Sequence, residues 1–313
     1  MSLLSLLIAL AAEKSLSSSL WRFDYYYKKY TTFFKQNFLL SKLKDGTFSY
    51  TIFLFVPVAV LYGILSWVGE GGIHFIISTA VLIVCFGCST TRNSYKHYLK
   101  AAFRGEPTTS DLFHQQLLVD KNLPPIGFGQ ALIWLNYRYY IAIMLFFTIF
   151  GAMGVVFYRL LTAVIEQHNV CSLDQSEYSS ANDQPDNITE NKHLEDSSLD
   201  VDSQCSASTV SPGCRNYHAI LFYVDWLPVR ITSFGYMFVG HFSKALPVWL
   251  ESFFDGKKAT HRILIDVAQK SEDDMVDKDD CTAEPCLLVR LSKRNVLLLL
   301  ATIAIFTLFG VIS

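Results

Sequence analysis

The residues with most chemistry to offer lie in Asp225-Trp226-Leu227-Pro228-Val229-Arg230, where a carboxylate and a guanidinium flank a proline in an apolar frame. Charge beside long apolar runs is costly and therefore asks for a reason. One reading is an anion or phosphate site, with Arg230 as bidentate donor and Asp225 orienting it or a metal ion. The other is a helix cap at Asp225 with Arg230 as its structural ion partner. The residues alone weight the two equally. Asn136 and Arg138, at the head of an apolar run, could line a polar pocket; a flank with a snorkelling arginine is the favoured reading. Glu13 and Asp24 are further candidate pocket carboxylates, with ordinary helix-end charges favoured. His241 stands alone after Gly240, and lone histidines are more often structural than ligating.

Other chemistry is excluded by what is missing. The sequence has no H-E-x-x-H, no G-x-S-x-G and no P-loop; Asp255-Gly256-Lys257-Lys258 lacks both the earlier glycine and the following Ser/Thr. Cys85 and Cys88 form a C-x-x-C inside an apolar run, without the strand-to-helix setting of a redox site, and read as small packing residues. No metal site is expected. A net charge of −2 gives no basic field for nucleic acid.

The elements that must position these residues are membrane helices. Of the 313 residues 51% are hydrophobic and only 17% charged, and the apolar ones cluster in runs near the length needed to cross a bilayer. The expected fold is all-α: a polytopic integral membrane protein, a helical bundle with amphipathic interfacial helices and broken or re-entrant segments. Residues 1–50 comprise an apolar helix, retained rather than cleaved as a signal, and an aromatic, lysine-rich interfacial stretch containing Lys28, Lys29, Lys42 and Lys44. Residues 51–90 form a transmembrane hairpin, with Pro57 expected to kink its first arm, and 91–138 form a basic cytoplasmic segment. Residues 139–165 form one tilted helix, or two half-helices turning at Gly151-Ala152-Met153-Gly154; the sequence leaves both open.

Residues 166–216, rich in Ser, Asp, Asn and Glu, read as a disordered acidic linker, and their acidity leans weakly towards the periplasm. Asn187-Ile188-Thr189 within them is a chance sequon. Residues 217–254 carry the D-W-L-P-V-R block on a broken or interfacial helix. Residues 255–294 form a charged cytoplasmic segment that includes a second acidic tract, and 295–313 form the last span.

The blocks Leu132-Ile133-Trp134-Leu135-Asn136-Tyr137-Arg138-Tyr139-Tyr140, Tyr98-Leu99-Lys100-Ala101-Ala102 and Tyr217 to Trp249, with Glu13, Trp21 and Asp24, closely resemble the AmpE family. That resemblance implies an inner-membrane signalling modulator linked to β-lactamase induction, cell-wall stress and the response to β-lactams. Its implied partners are the bilayer and cell-wall-recycling or signalling proteins. It also implies that Asp225, Arg230, Asn136, Arg138, Glu13 and Asp24 form one intramembrane cluster, polar or anion-binding. More distantly, Asp225-x-x-Pro228-x-Arg230 and Tyr158-Arg159 resemble the CobD/CbiB group of cobalamin biosynthesis. That likeness implies an alternative, an ATP-dependent ligase using Mg-ATP on an amphipathic substrate. The group's N-T-L-D motif is absent, the chain continuing Leu160-Leu161-Thr162-Ala163, and Ile143 stands where relatives have proline.

Overall fold

The computed structural model describes residues 2–15, 21–36, 47–69, 71–87, 89–180, 212–254, 258–272 and 282–310. The acidic tracts at 181–211 and 273–281, with the sequon at Asn187, and also Lys42, Lys44, Glu70 and Cys88, lie outside the described residues. The described residues are mostly helical, joined by short turns, without strands. Backbone polar groups in a bilayer must be satisfied within the segment, and a helix does this at any point along an apolar run.

Helix α1 (Ser2–Ser15) is apolar, and α2 (Phe23–Gln36) interleaves aromatic residues with lysines. Then come α3 (Thr47–Val68), α4 (Gly72–Cys85), α5 (Ser89–Phe103), α6 (Pro107–Lys121) and α7 (Phe128–Asn136). A π-helical stretch, Tyr137–Ile141, leads directly into α8 (Ala142–Ser180). The chain resumes with α9 (Pro212–Val239), α10 (Phe242–Phe254), α11 (Thr260–Ser271) and α12 (Ala283–Leu308). Among the described residues four stretches, Thr51–Val68, Gly72–Phe103, Phe128–Glu166 and Ala283–Leu308, are long and apolar enough to cross a membrane. This is an all-α polytopic membrane protein. Pro57 lies inside α3 without ending it.

The third of these stretches is not straight. Gly151 has φ +67° and ψ −157°, a conformation that only glycine adopts at low cost, and the helix folds back there. Two cross-contacts fix the fold-back: the rings of Phe146 and Tyr158 stack at 4.8 Å, and the Tyr139 hydroxyl reaches Glu166 at 2.7 Å. Both pairs are centred on residues 152–153. In a straight helix Tyr139 and Glu166 would be about 40 Å apart. The segment whose shape the sequence left open is therefore a tight helical hairpin.

A common level runs through the bundle. The Gly87 amide donates to the Tyr139 carbonyl at 3.1 Å, a Cβ on Gly87 would strike the Glu13 side chain, and Tyr140 bonds Glu13. At this level, the charged end, lie Glu13, Gly87, Tyr139 and Glu166. Counting about 1.5 Å per residue from it, α4 and the first hairpin arm each run roughly 20 Å to the turns at Gly72 and Gly151. α1 lies along α4 with the buried Thr79 hydroxyl donating to Ser5 at 3.0 Å. Around the apolar end Trp67, Ile73, Phe150, Leu308 and Phe309 are all exposed, as a lipid-facing belt requires. The main core joins α1, α3, α4, the hairpin and α9; a second, smaller one under α5 and α6 centres on Leu117, Phe128 and Tyr139, where Tyr98 stacks on Phe128 at 3.7 Å.

Candidate functional site: a buried polar cluster at a π turn

Between α7 and α8 the backbone widens from α to π geometry over Tyr137–Ile141. Such widenings are rare and frequent at functional sites, because they change the direction of successive side chains. Here four consecutive residues reach separate elements. The Tyr137 hydroxyl donates to Asp225 Oδ1 on α9 at 2.6 Å. The Arg138 guanidinium lies 3.6 Å from Glu166 on the returning hairpin arm and 5.1 Å from the centre of the Trp134 ring. Tyr139 donates to Glu166 at 2.7 Å and accepts from Lys121 Nζ at 2.8 Å. Tyr140 donates to Glu13 on α1 at 2.9 Å, and Glu13 is ion-paired with Arg92 on α5.

Asp225 is 1% exposed and also accepts the Tyr158 hydroxyl, at 3.0 Å, on the same oxygen as Tyr137. Lys121, Arg138 and Arg159 are likewise buried. Arg159 lies over the Tyr139 ring at 4.4 Å and the Phe23 ring at 5.0 Å. Burying this many charges is tolerable only when each meets counter-charges, hydroxyls or ring faces, as these do. Among the described residues, Arg138 Nε and Asn136 Oδ1 are buried without a hydrogen-bond partner. At the margin of the cluster, His261 of α11 meets Trp134 edge-on at 6.0 Å. Burial, then the neighbouring charges of Arg262 and Arg138, hold its pKa below the usual histidine value.

Of the six residues singled out from the sequence, Asp225 and Arg138 lie in this cluster, Asn136 borders it, and Glu13 joins it through Tyr140. Asp24 is exposed on α2. Arg230 is buried and donates to backbone carbonyls. Its Nη1 donates to the Trp226 carbonyl at 3.0 Å, and its Nε and Nη2 donate to the carbonyls of Phe253 and Ser252 at 3.3 and 3.4 Å. Its charged face lies 4.2 Å from the centre of the Trp226 ring. Those carbonyls belong to the last turn of α10, where the helix leaves acceptors unsatisfied and a cation is favoured. Arg230 thus ties the end of α10 to α9, and Asp225 takes tyrosine hydroxyls instead. Among the described residues no three His, Cys, Asp or Glu side chains group as metal ligands.

Sequence reasoning passed over Lys121, Tyr137, Tyr139 and Glu166 as site residues, and noted Tyr158 and Arg159 only through a distant likeness. A signal was present: Arg138 and Glu166 bound the apolar run at nearly equal distances from Gly151-Ala152-Met153-Gly154. A turn at that centre brings the two together.

Apolar helices long enough to cross a bilayer, gathered around a buried polar cluster, define a polytopic membrane protein. The sequence profile of the regulatory signalling modulator protein AmpE matches residues 1–176 and 204–313, and the chain belongs to the AmpE family. It is 25% identical over 241 residues to Protein AmpE of Shigella flexneri, covering 73% of this chain and 72% of that protein. No solved structure matches.

Proposed function

We propose that this AmpE-family modulator works in the bacterial inner membrane, linking β-lactamase induction and the response to β-lactams to the state of its buried polar cluster. The carrying observation is the π turn, which joins α1, α6, the hairpin and α9 through four adjacent side chains. A change in one of these elements is felt by the others through a hydrogen bond or an ion pair, which is how packed networks couple distant parts. The Lys/Arg content of 91–138 and 241–294 favours the charged end as cytoplasmic. On that reading the returning arm of the hairpin comes back to the same side, because it brings Glu166 to the level of Tyr139. The basic helix α5, with Lys96 and Lys100, and Arg104 just after it then face the cytoplasm, where cell-wall-recycling or signalling proteins could be engaged. Arg138 has an Nε–H to offer an anionic group on whatever signal reaches the cluster.

The test is complementation in a strain with inducible β-lactamase and its own copy deleted. Wild type should restore the induction response to a sub-lethal β-lactam. Tyr137→Phe and Arg138→Met, at matched membrane levels, should fail to do so. Full restoration by both variants would remove the cluster from the signalling role.

A further inference from the structure

Helix α9 has two unlike faces. Its inner face buries Tyr217, Leu221, Asp225, Val229, Arg230 and Tyr236. Its outer face carries Ile220, Tyr223, Leu227, Ile231, Phe234 and Phe238, exposed by 41, 76, 52, 41, 44 and 61%. Their spacings of three and four residues place them in one stripe along the helix. From position 219 to 238 every exposed residue is apolar or aromatic. The stripe is about 27 Å long at 1.5 Å per residue. So long an exposed apolar stripe, free of charge, marks a surface that is covered in the working protein.

The length of the stripe suits a bilayer crossing, but the connections forbid one. Before α9, the hairpin brings the chain back to the charged end at Glu166, and α8 continues beyond that level to Ser180. Residues 181–211 are polar and acidic, with nothing like the ~20 apolar residues a crossing needs. Pro212 therefore starts on the charged side. Towards its other end, α9 meets Asn295, which donates to the Thr232 carbonyl at 3.1 Å and packs against Gly235. Asn295 directly follows Lys293 and Arg294, where α12 passes from charged to apolar sequence. Just past α9, the His241 amide donates to the Ser271 carbonyl of α11 at 2.7 Å. Both ends of a 28-residue helix, about 42 Å long, thus lie on one side. Such a helix lies along the membrane.

We propose that α9 is an in-plane helix whose Ile220–Phe238 stripe is covered by the acyl chains of the leaflet at the charged end. An amphipathic helix in this position sinks its apolar face about 5–10 Å below the headgroups. The opposite face presents Asp225 to Tyr137 and Tyr158, so the helix stands between one leaflet and the polar cluster.

The test is a depth measurement on the full chain in phosphatidylethanolamine/phosphatidylglycerol vesicles. Nitroxide labels are placed at Ile220→Cys, Leu227→Cys, Phe234→Cys and Phe238→Cys in a cysteine-replaced background. The expected result is high accessibility to oxygen, low accessibility to a water-soluble nickel chelate, and depths that agree within about 5 Å. Labels at Leu297→Cys and Ile305→Cys, eight residues apart on a spanning helix, should differ by about 12 Å. A steady change of more than about 20 Å from Ile220 to Phe238 would make α9 a span. Access to the chelate would make the stripe aqueous. Exclusion of both reagents with spin–spin broadening would make it a contact between two copies. An independent measurement needs no replaced cysteines: a diazirine dissolved in the bilayer should label the unmodified protein within 220–238, and absence of adducts there, with adducts present on α3 and α12, would overturn the proposal.

Discussion

Tyr139 and Glu166 are 27 residues apart in sequence and 2.7 Å apart in space, and Lys121 reaches both. The contact exists because the chain reverses at Gly151, so the geometry of the cluster depends on a residue about 18 Å away along a helix arm.

Gly151→Ala should therefore disturb a site it does not touch. Nothing lies within 4 Å of a Cβ built at Gly151, so the cost is one of backbone conformation alone. Holding a non-glycine residue there costs about 1–3 kcal/mol. Thermal unfolding in detergent should fall accordingly. Gly63→Ala, also in open space but inside α3, should be neutral or slightly stabilising. Equal losses at the two positions would refute the conformational explanation.

Tyr137→Phe and Tyr158→Phe each remove one of two hydroxyls from the same oxygen of Asp225. A hydrogen bond to a charged group contributes about 1.5–3 kcal/mol, and each single variant should lose an amount in that range. Because the donors share one acceptor, the double variant should depart from the sum of the singles. Simple additivity in melting experiments would mean that the two hydroxyls act independently.

Arg230→Met should destabilise the junction of α9 and α10 rather than abolish an anion site. The carbonyls of Ser252 and Phe253 would lose their donors while remaining largely buried, a cost of about 1–3 kcal/mol for each group left unsatisfied. Limited proteolysis should show faster cleavage after α10. An unchanged cleavage pattern would argue against Arg230 as the tie.

His261 supplies a pH dependence with a definite sign. Its folded pKa lies below the ordinary value of 6.5 because of burial first, then Arg262 and Arg138. The unfolded chain therefore binds a proton that the folded protein resists. The associated stability is complete above pH 6.5 and is lost as pH falls from 6.5 towards the folded pKa. Melting temperature should drop between pH 7.5 and 5 in wild type, and His261→Phe should flatten that part of the profile while keeping the ring against Trp134. Equal slopes for the two proteins would exclude His261 as the source.

Much of the fold was legible because membrane helices announce themselves by composition. The runs that became α3, α4 and the apolar part of α12 could be read directly, since nothing but a helix satisfies their backbones in lipid. The hairpin was not legible as such: a glycine-rich centre serves a bend and a reversal equally well, and only the contacts across it decide. Asp225 and Arg138 could be singled out because charge stands out in apolar sequence. Their partners could not, because tyrosines in a chain with 16 of them carry no mark of having a hydroxyl in use. The hydrogen bonds of Arg230 were hidden for a related reason. Its acceptors are backbone carbonyls, which every residue possesses and no sequence displays.

The shared oxygen of Asp225 also bears on how the protein is made. Tyr137 and Tyr158 leave the ribosome well before Asp225, which is separated from Tyr158 by 67 positions including the whole acidic tract. During that interval the hairpin is already long enough to insert, yet two hydroxyls destined for burial have no carboxylate to meet. The late arrival of α9 thus adds to helices α1 to α8, which have had time to assemble, and a nascent chain stalled before residue 225 would hold an inserted but unfinished bundle.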